Sequence, residues 1–231
     1  MKQLVYILFI LLISTSAFTQ ITSYTDRAVW EADANGVCAF EDFEGFTVEA
    51  DFKATAVTCN GFSLQRTMGG IDFPNFGNFI DILPVQGFAP NGSNFAFIYV
   101  NANDDTEVTM SLDNPSYGFF ADFSSTTTGE ILALMYNTSG GMINSHTFSM
   151  NNTSFGFISA SEPVASIKFM SANINPSASG EGFGIDNVAL SCAPPIPTMG
   201  QWALMILALL LSSIGIGYLV AMNTNTIAVR S

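Results

Sequence analysis

Along most of this chain apolar side chains come in short runs alternated or broken by polar ones, whereas near each terminus they run without interruption. In Glu107-Val108-Thr109-Met110-Ser111-Leu112 every second residue is apolar, so Val108, Met110 and Leu112 share one face of an extended strand, which is predicted to be half buried. Comparable runs rich in Phe, Val, Ile and Thr lie at 38–46, 56–65, 95–101, 107–112, 117–123, 130–136, 142–149, 155–159, 164–170 and 182–190. Turn-forming segments such as Ala102-Asn103-Asp104-Asp105 and Ser139-Gly140-Gly141 separate them, as hairpins require. Short strands at this spacing predict an all-β, antiparallel β-sandwich. One stretch departs from the pattern: Thr25 to Ala34 predicts a short helix, with Ser23 or Thr25 as N-cap, Asp26 in its first turn and Gly36 just past its end.

The uninterrupted runs have a different physical meaning. At the N-terminus Met1-Lys2 precedes the apolar stretch Leu4 to Ile13, followed by the small and polar residues Ser14 to Gln20. That stretch rises only about 15 Å as a helix against a hydrocarbon core of about 30 Å, so it predicts a cleaved signal peptide over 1–19 rather than a permanent span. The new N-terminus is expected between Phe18 and Ile21. Residues 202–222 carry no charge and rise about 31 Å as a helix, enough to cross a bilayer. They show no polar stripe, and Trp202 and Tyr218 stand near opposite ends, where interfacial aromatics belong. The expected organisation is a signal peptide at 1–19, a β-sandwich ectodomain at 20–191, a Pro-rich stalk at 192–201, a transmembrane helix at 202–222 and a cytoplasmic tail at 223–231, with Arg230 as the tail's cation.

Composition narrows the partners. Hydrophobic residues make up 48% of the chain and charged ones 11%, which excludes a disordered polyelectrolyte. All 19 acidic residues fall between Asp26 and Asp186, where the cations are Arg27, Lys53, Arg66 and Lys168, so nucleic acid is excluded as a partner. His146 is the sole histidine, and no Ser-His-Asp convergence is visible around it. Glu41 and Glu44 make a nominal glycosidase pair, yet among so many acids some pair can always be named. No catalytic residue is assigned, and the ectodomain is expected to be non-enzymatic. Tyr99, Tyr117 and Tyr136 are candidate surfaces for stacking sugars. Asn101 to Thr106 looks like the start of an EF-hand but lacks its later glycine and glutamate, and the scattered cysteines and single histidine lack zinc-ligand spacing. Three cysteines in an exported chain predict one disulfide and one remaining thiol. Cys38 with Cys59 is the first expected pairing, since both lie early in the domain where neighbouring strands bring them together.

The stalk carries a motif. Cys192-Ala193-Pro194-Pro195-Ile196-Pro197-Thr198-Met199-Gly200-Gln201-Trp202 holds an extended chain through its prolines and leads directly into the Leu-rich span. Ile196, Pro197, Thr198 and Trp202, with Met199 and Ala203 in place of the usual Leu and Gly, resemble the IPTL-CTERM protein-sorting segment of bacteria. That resemblance covers about the last 35 residues of the chain. It implies that an exosortase-like, integral-membrane transpeptidase cuts near Ile196, Pro197, Thr198, Met199 and Trp202 and passes the protein toward the cell surface. The family's tail is usually richer in Arg and Lys than this one.

Further motifs run through the ectodomain: Arg27-Ala28-Val29-Trp30, Phe40-Glu41, Gly61-Phe62, Phe155-Gly156-Phe157 and Gly182-Phe183-Gly184-Ile185-Asp186-Asn187-Val188. Together they resemble the exported jelly-roll domains of CTERM-anchored bacterial proteins, implying a concanavalin-like or galactose-binding-like sandwich. In such a jelly roll the first and last strands lie side by side, which makes Cys38 with Cys192 the rival disulfide. The resemblance also implies a structural calcium between terminal strands, held by Glu41, Asp42 or Glu44 with Asp186; no other cofactor is expected. The function so implied is an exported, membrane-anchored, non-enzymatic surface protein and exosortase substrate. The alternatives are a calcium-assisted module binding surface glycans, or a secreted glycan hydrolase.

Overall fold

The alternating segments fold into two antiparallel sheets whose apolar faces meet. The computed structural model describes residues 21–68, 78–82, 90, 94–100, 106–125, 130–149, 153–172, 181–194 and 206–215. In chain order the elements are β1 (Ile21–Tyr24), α1 (Arg27–Asp33), β2 (Ala39–Glu41), β3 (Ala50–Asp51), β4 (Val57–Thr58), β5 (Phe62–Met68), β6 (Phe79–Asp81) and β7 (Phe95–Val100). They continue with β8 (Glu107–Ser116), β9 (Gly118–Ser125), β10 (Glu130–Tyr136), β11 (Met142–Ser149), β12 (Thr153–Ser159), β13 (Val164–Ser171) and β14 (Glu181–Ser191). One sheet runs β1-β12-β9-β14-β7-β6-β3, with β2 also paired to β14; the other runs β11-β10-β13-β8-β5-β4.

The predicted half-buried strand is present in β8, where Val108, Met110 and Leu112 point into the core between the sheets. Phe119, Phe123, Phe155, Phe157 and Phe183 fill that core from the eight-stranded sheet, and Phe62, Ile131, Ile167 and Phe169 meet them from the six-stranded one. Period-2 alternation is what lets each strand give one face to this layer. Glycine has a specific task in Phe155-Gly156-Phe157: a Cβ on Gly156 would stand 2.4 Å from Phe120 and 2.7 Å from the Phe119 carbonyl. The β10–β11 hairpin closes over Asn137, whose Oδ1 accepts the backbone N–H of Ser139 (3.1 Å) and Gly141 (2.7 Å), with Gly140 at φ 79°.

A smaller apolar cluster lies on the opposite side of the eight-stranded sheet. There α1 lays Trp30 and Ala34 over Phe120, Ile158 and Ala189, and the Trp30 indole N–H donates to the Phe157 carbonyl at 3.0 Å. Asp26 caps α1 by accepting the Val29 N–H at 3.1 Å, rather than Ser23 or Thr25 as expected. Ser23 is already committed to β1, which pairs with β12. The short strands β1, β3 and β6 were not predicted; too few residues carry too little alternation to register.

The first expected disulfide is corrected. Cys38 bonds Cys192, with Cα atoms 5.8 Å apart. Pairing of Ala39, Phe40 and Glu41 in β2 with Leu190, Ala189 and Val188 in β14 brings the residues flanking those strands together. Cys59 instead turns into the core beneath the β4–β5 turn, on the other sheet, and remains a buried thiol. Burial, aided by Glu41 and Asp113, pushes that thiol well above its ordinary pKa.

The chain divides into two units, Met1–Pro195 and Ile196–Ser231. In the second, residues 206–215 are helical, with Leu209 and Ile214 among its exposed apolar side chains. Ser212 and Ser213 donate to the carbonyls of Ala208 (2.7 Å) and Leu210 (2.8 Å) within the same helix. Among the described residues no helix is long and apolar enough to cross a membrane. The expected span at 202–222 extends at both ends beyond the described residues, and the expected signal peptide, the sorting-motif residues Ile196 to Met199 with Trp202, the Ala102 to Asp105 turn and the tail lie outside them.

Candidate functional site

Polar and charged side chains gather on the α1 side of the eight-stranded sheet. Arg27 and Glu31 stand one turn apart on α1 and approach to 3.8 Å. The Arg27 guanidinium lies over two rings, 5.5 Å from the centroid of Phe40 and 5.0 Å from that of Phe120, and donates to the Asn187 carbonyl. That carbonyl is turned toward α1 because β14 bulges between Asp186 and Ala189, with Asn187 in the left-handed region at φ 50°. Arg27, Glu31, Val37, Phe40 and Asn187 line an open cleft of about 540 Å³.

Behind the cleft lies a pair of carboxylates on paired strands. Asp186 of β14 faces Asp122 of β9 in register, and Asp122 accepts hydrogen bonds from Ser154 Oγ (2.6 Å) and Asn187 Nδ2 (3.0 Å). Asp186 is 2% exposed and accepts its bond from the Asn187 backbone N–H at 2.7 Å. Burial, joined by the charges of Asp122, Glu44 and Asp42, raises its pKa to about 7 against the pull of that N–H.

Of the residues expected to hold calcium, then, Asp42 and Glu44 lie within electrostatic reach of Asp186. Their oxygens are engaged elsewhere: Glu41 accepts the N–H groups of Phe43 and Asn60, each at 2.7 Å, Asp42 accepts from Glu44 at 3.2 Å, and Glu44 accepts from Asn94 at 3.1 Å. Among the described residues no group of three or more His, Cys, Asp or Glu side chains is arranged to hold a metal ion. As placed, Glu41, Asp42, Glu44 and Asp186 do not fit calcium as one donor set. They serve the turn after β2 and the bulge of β14.

His146 lies flat on Phe155, with ring centroids 4.2 Å apart and planes within 8°, and burial lowers its pKa. Tyr99, Tyr117 and Tyr136 are each half-buried. Tyr136 is on the far side of the molecule from α1, on the outer face of the six-stranded sheet, where Lys168 Nζ stands 5.3 Å from its ring. Lys168 also pairs with the buried Glu107 at 2.9 Å, and Thr67 donates to the same carboxylate at 2.7 Å. Sequence reasoning did not single out the cleft residues as a site. The legible signal was Asp186-Asn187 inside an otherwise apolar strand, since Asn tolerates left-handed backbone where a strand bulges.

The family model described as the IPTL-CTERM motif matches residues 194–220. No curated protein matches the chain. Among solved structures, the chain is similar to a family 29 carbohydrate-binding module variant complexed with mannohexaose, at 13% identity, 64% coverage of this chain, 93% of that one and a TM-score of 0.39. It is also similar to the family 11 carbohydrate-binding module of a cellulosomal cellulase of Clostridium thermocellum, at 15% identity, 71% and 98% coverage and a TM-score of 0.37.

Proposed function

We propose that this protein is exported, is held in the membrane by its C-terminal apolar segment, and is a substrate of an exosortase-like sorting transpeptidase that delivers a non-enzymatic β-sandwich to the cell surface as an envelope or matrix component. The observation that carries this reading is the IPTL-CTERM match at 194–220, which begins just after the disulfide that closes the sandwich and takes in most of the uncharged apolar run at 202–222. Two features support it. The helix at 206–215 exposes apolar side chains and turns its serine hydroxyls onto its own carbonyls, as a lipid-facing helix requires. The Cys38–Cys192 bond suits an oxidising compartment.

The test is the intact mass of the protein recovered from cells carrying the sorting enzyme. The parent is expected to end near Pro197 to Trp202, or to bear an added group there, and the Pro197→Ala/Thr198→Ala variant to accumulate with its C-terminus at Ser231. Identical processing of parent and variant would overturn the sorting assignment.

A further inference from the structure

We infer that the cleft formed by Arg27, Glu31, Val37, Phe40 and Asn187 is a binding site for a neutral pyranose residue of an extended polysaccharide. This goes beyond surface delivery, which concerns only the other end of the chain. Four observations carry it.

The first is the ring of Phe40, 42% exposed in the middle of β2. Large aromatics are normally covered in a sandwich, and here Trp30, Phe43 and Phe62 are fully buried. Phe40 is fixed in place, because its strand is paired to β14 and the Arg27 guanidinium, itself part of the cleft lining, packs on its ring. An aromatic held on one side and open on another offers a flat apolar surface of the kind that the C–H face of a pyranose covers.

The second is the polar surround. Glu31 supplies a solvent-accessible carboxylate acceptor, and Asn187, another lining residue, has its side-chain amide anchored by Nδ2 donating to Asp122. A half-exposed carboxylate beside an exposed ring matches the alternation of hydroxyl groups and C–H faces on a sugar.

The third is charge. Arg27 is already engaged by Glu31, by the Asn187 carbonyl and by two rings, so it does not act as an open anion receptor. Asp122 and Asp186 lie just behind Asn187 in a chain of net charge −13. Uronate or phosphorylated sugars are therefore disfavoured, and the ligand is neutral.

The fourth is size and rigidity. A volume of about 540 Å³ falls within the ~300–1,000 Å³ of small-molecule sites. Its walls come from α1, from β2 tied by the Cys38–Cys192 bond, and from the bulge of β14, so little ordering is required on binding.

The experiment is calorimetric titration of the full chain, in detergent, with cellohexaose as the flat, equatorially substituted probe and hexagalacturonate as its charged counterpart. Expected are weak binding of cellohexaose, a loss of about tenfold or more in Phe40→Ala, retention in Phe40→Tyr, and a loss of about threefold to tenfold in Glu31→Gln. Glu31 is exposed, so its variant reports on the cleft even if Phe40→Ala disturbs β2. Tyr136→Ala, on the other sheet, is expected to bind as the parent does. Three results would overturn the assignment: no heat with cellohexaose from folded protein, tighter binding of hexagalacturonate, or binding lost in Tyr136→Ala but kept in Phe40→Ala and Glu31→Gln. None of these bears on where the C-terminus is cut, so the sorting proposal stands or falls separately.

Discussion

The sandwich and the segment at 206–215 are both rich in apolar side chains, yet those side chains end in opposite environments. In the sandwich, strands such as β8 alternate apolar with polar residues, and Val108, Met110, Phe119 and Phe157 lose essentially all contact with solvent between the sheets. In the C-terminal helix the apolar residues follow one another around the whole axis, and Ile206, Leu207, Leu209, Leu210, Leu211 and Ile214 are each more than half exposed. Hydrophobic content alone therefore does not specify a core. Periodicity does, because only a two-sided element can bury one face and keep the other in water. An element apolar on every side needs an apolar solvent.

The contrast breaks most sharply under the same kind of truncation in each region. Phe157→Ala, which removes a ring stacked 5.7 Å from Phe119, is expected to cost about 4 kcal/mol in denaturant unfolding of the sandwich. Leu209→Ala, at 71% exposure, is expected to leave that transition unchanged. Equal losses at the two positions would show that the helix is a second water-excluded core. The next effect is in the membrane. Leu210→Arg is expected to reduce insertion by about 3 kcal/mol, read as release of the protein in alkaline extraction of membranes while the thermal transition of the sandwich holds. Retention in the membrane fraction would sever the link between this segment and anchoring.

A smaller effect tests the polar exception inside the sandwich. Asp186 titrates near 7 in the folded protein and near the ordinary carboxylate value of 3.8 when unfolded. Between those values the unfolded chain ionises first, so the stability present below pH 4 is lost as pH rises through 7. Asp186→Asn keeps an acceptor for the Asn187 N–H and removes the charge. Its stability is expected to match the parent near pH 4 and to exceed it above pH 7, on the order of 2 kcal/mol. A parallel pH profile for the two proteins would mean that Asp186 is ionised in the fold at little cost.

The strands most legible in the sequence were those long enough to show their period. β10 and β11 fall on the expected 130–136 and 142–149, and their turn forms at Ser139-Gly140-Gly141. β3, at two residues, carries no period at all, and its place is set by pairing to β6. The sorting segment was legible because it is a local word: Ile196, Pro197, Thr198 and Trp202 are close in sequence and need no fold to bring them together. The cleft was not, because Asn187 is separated from Arg27 and Phe40 by most of the chain and meets them only through the pairing of β2 with β14.

By itself, then, the sequence determined the antiparallel β architecture, the position of a C-terminal sorting segment and the division between alternating and continuous apolar runs. These follow from periodicity and from residues near one another along the chain, where geometry is fixed by the backbone. Only the tertiary structure decided that Cys38 joins Cys192 while Cys59 is buried, that Glu41, Asp42 and Glu44 turn to backbone N–H groups, and that Phe40 opens onto a cleft. Those outcomes depend on which strands become neighbours and how a bulge turns one of them, and strand pairing is a long-range choice made by the closing of the whole core.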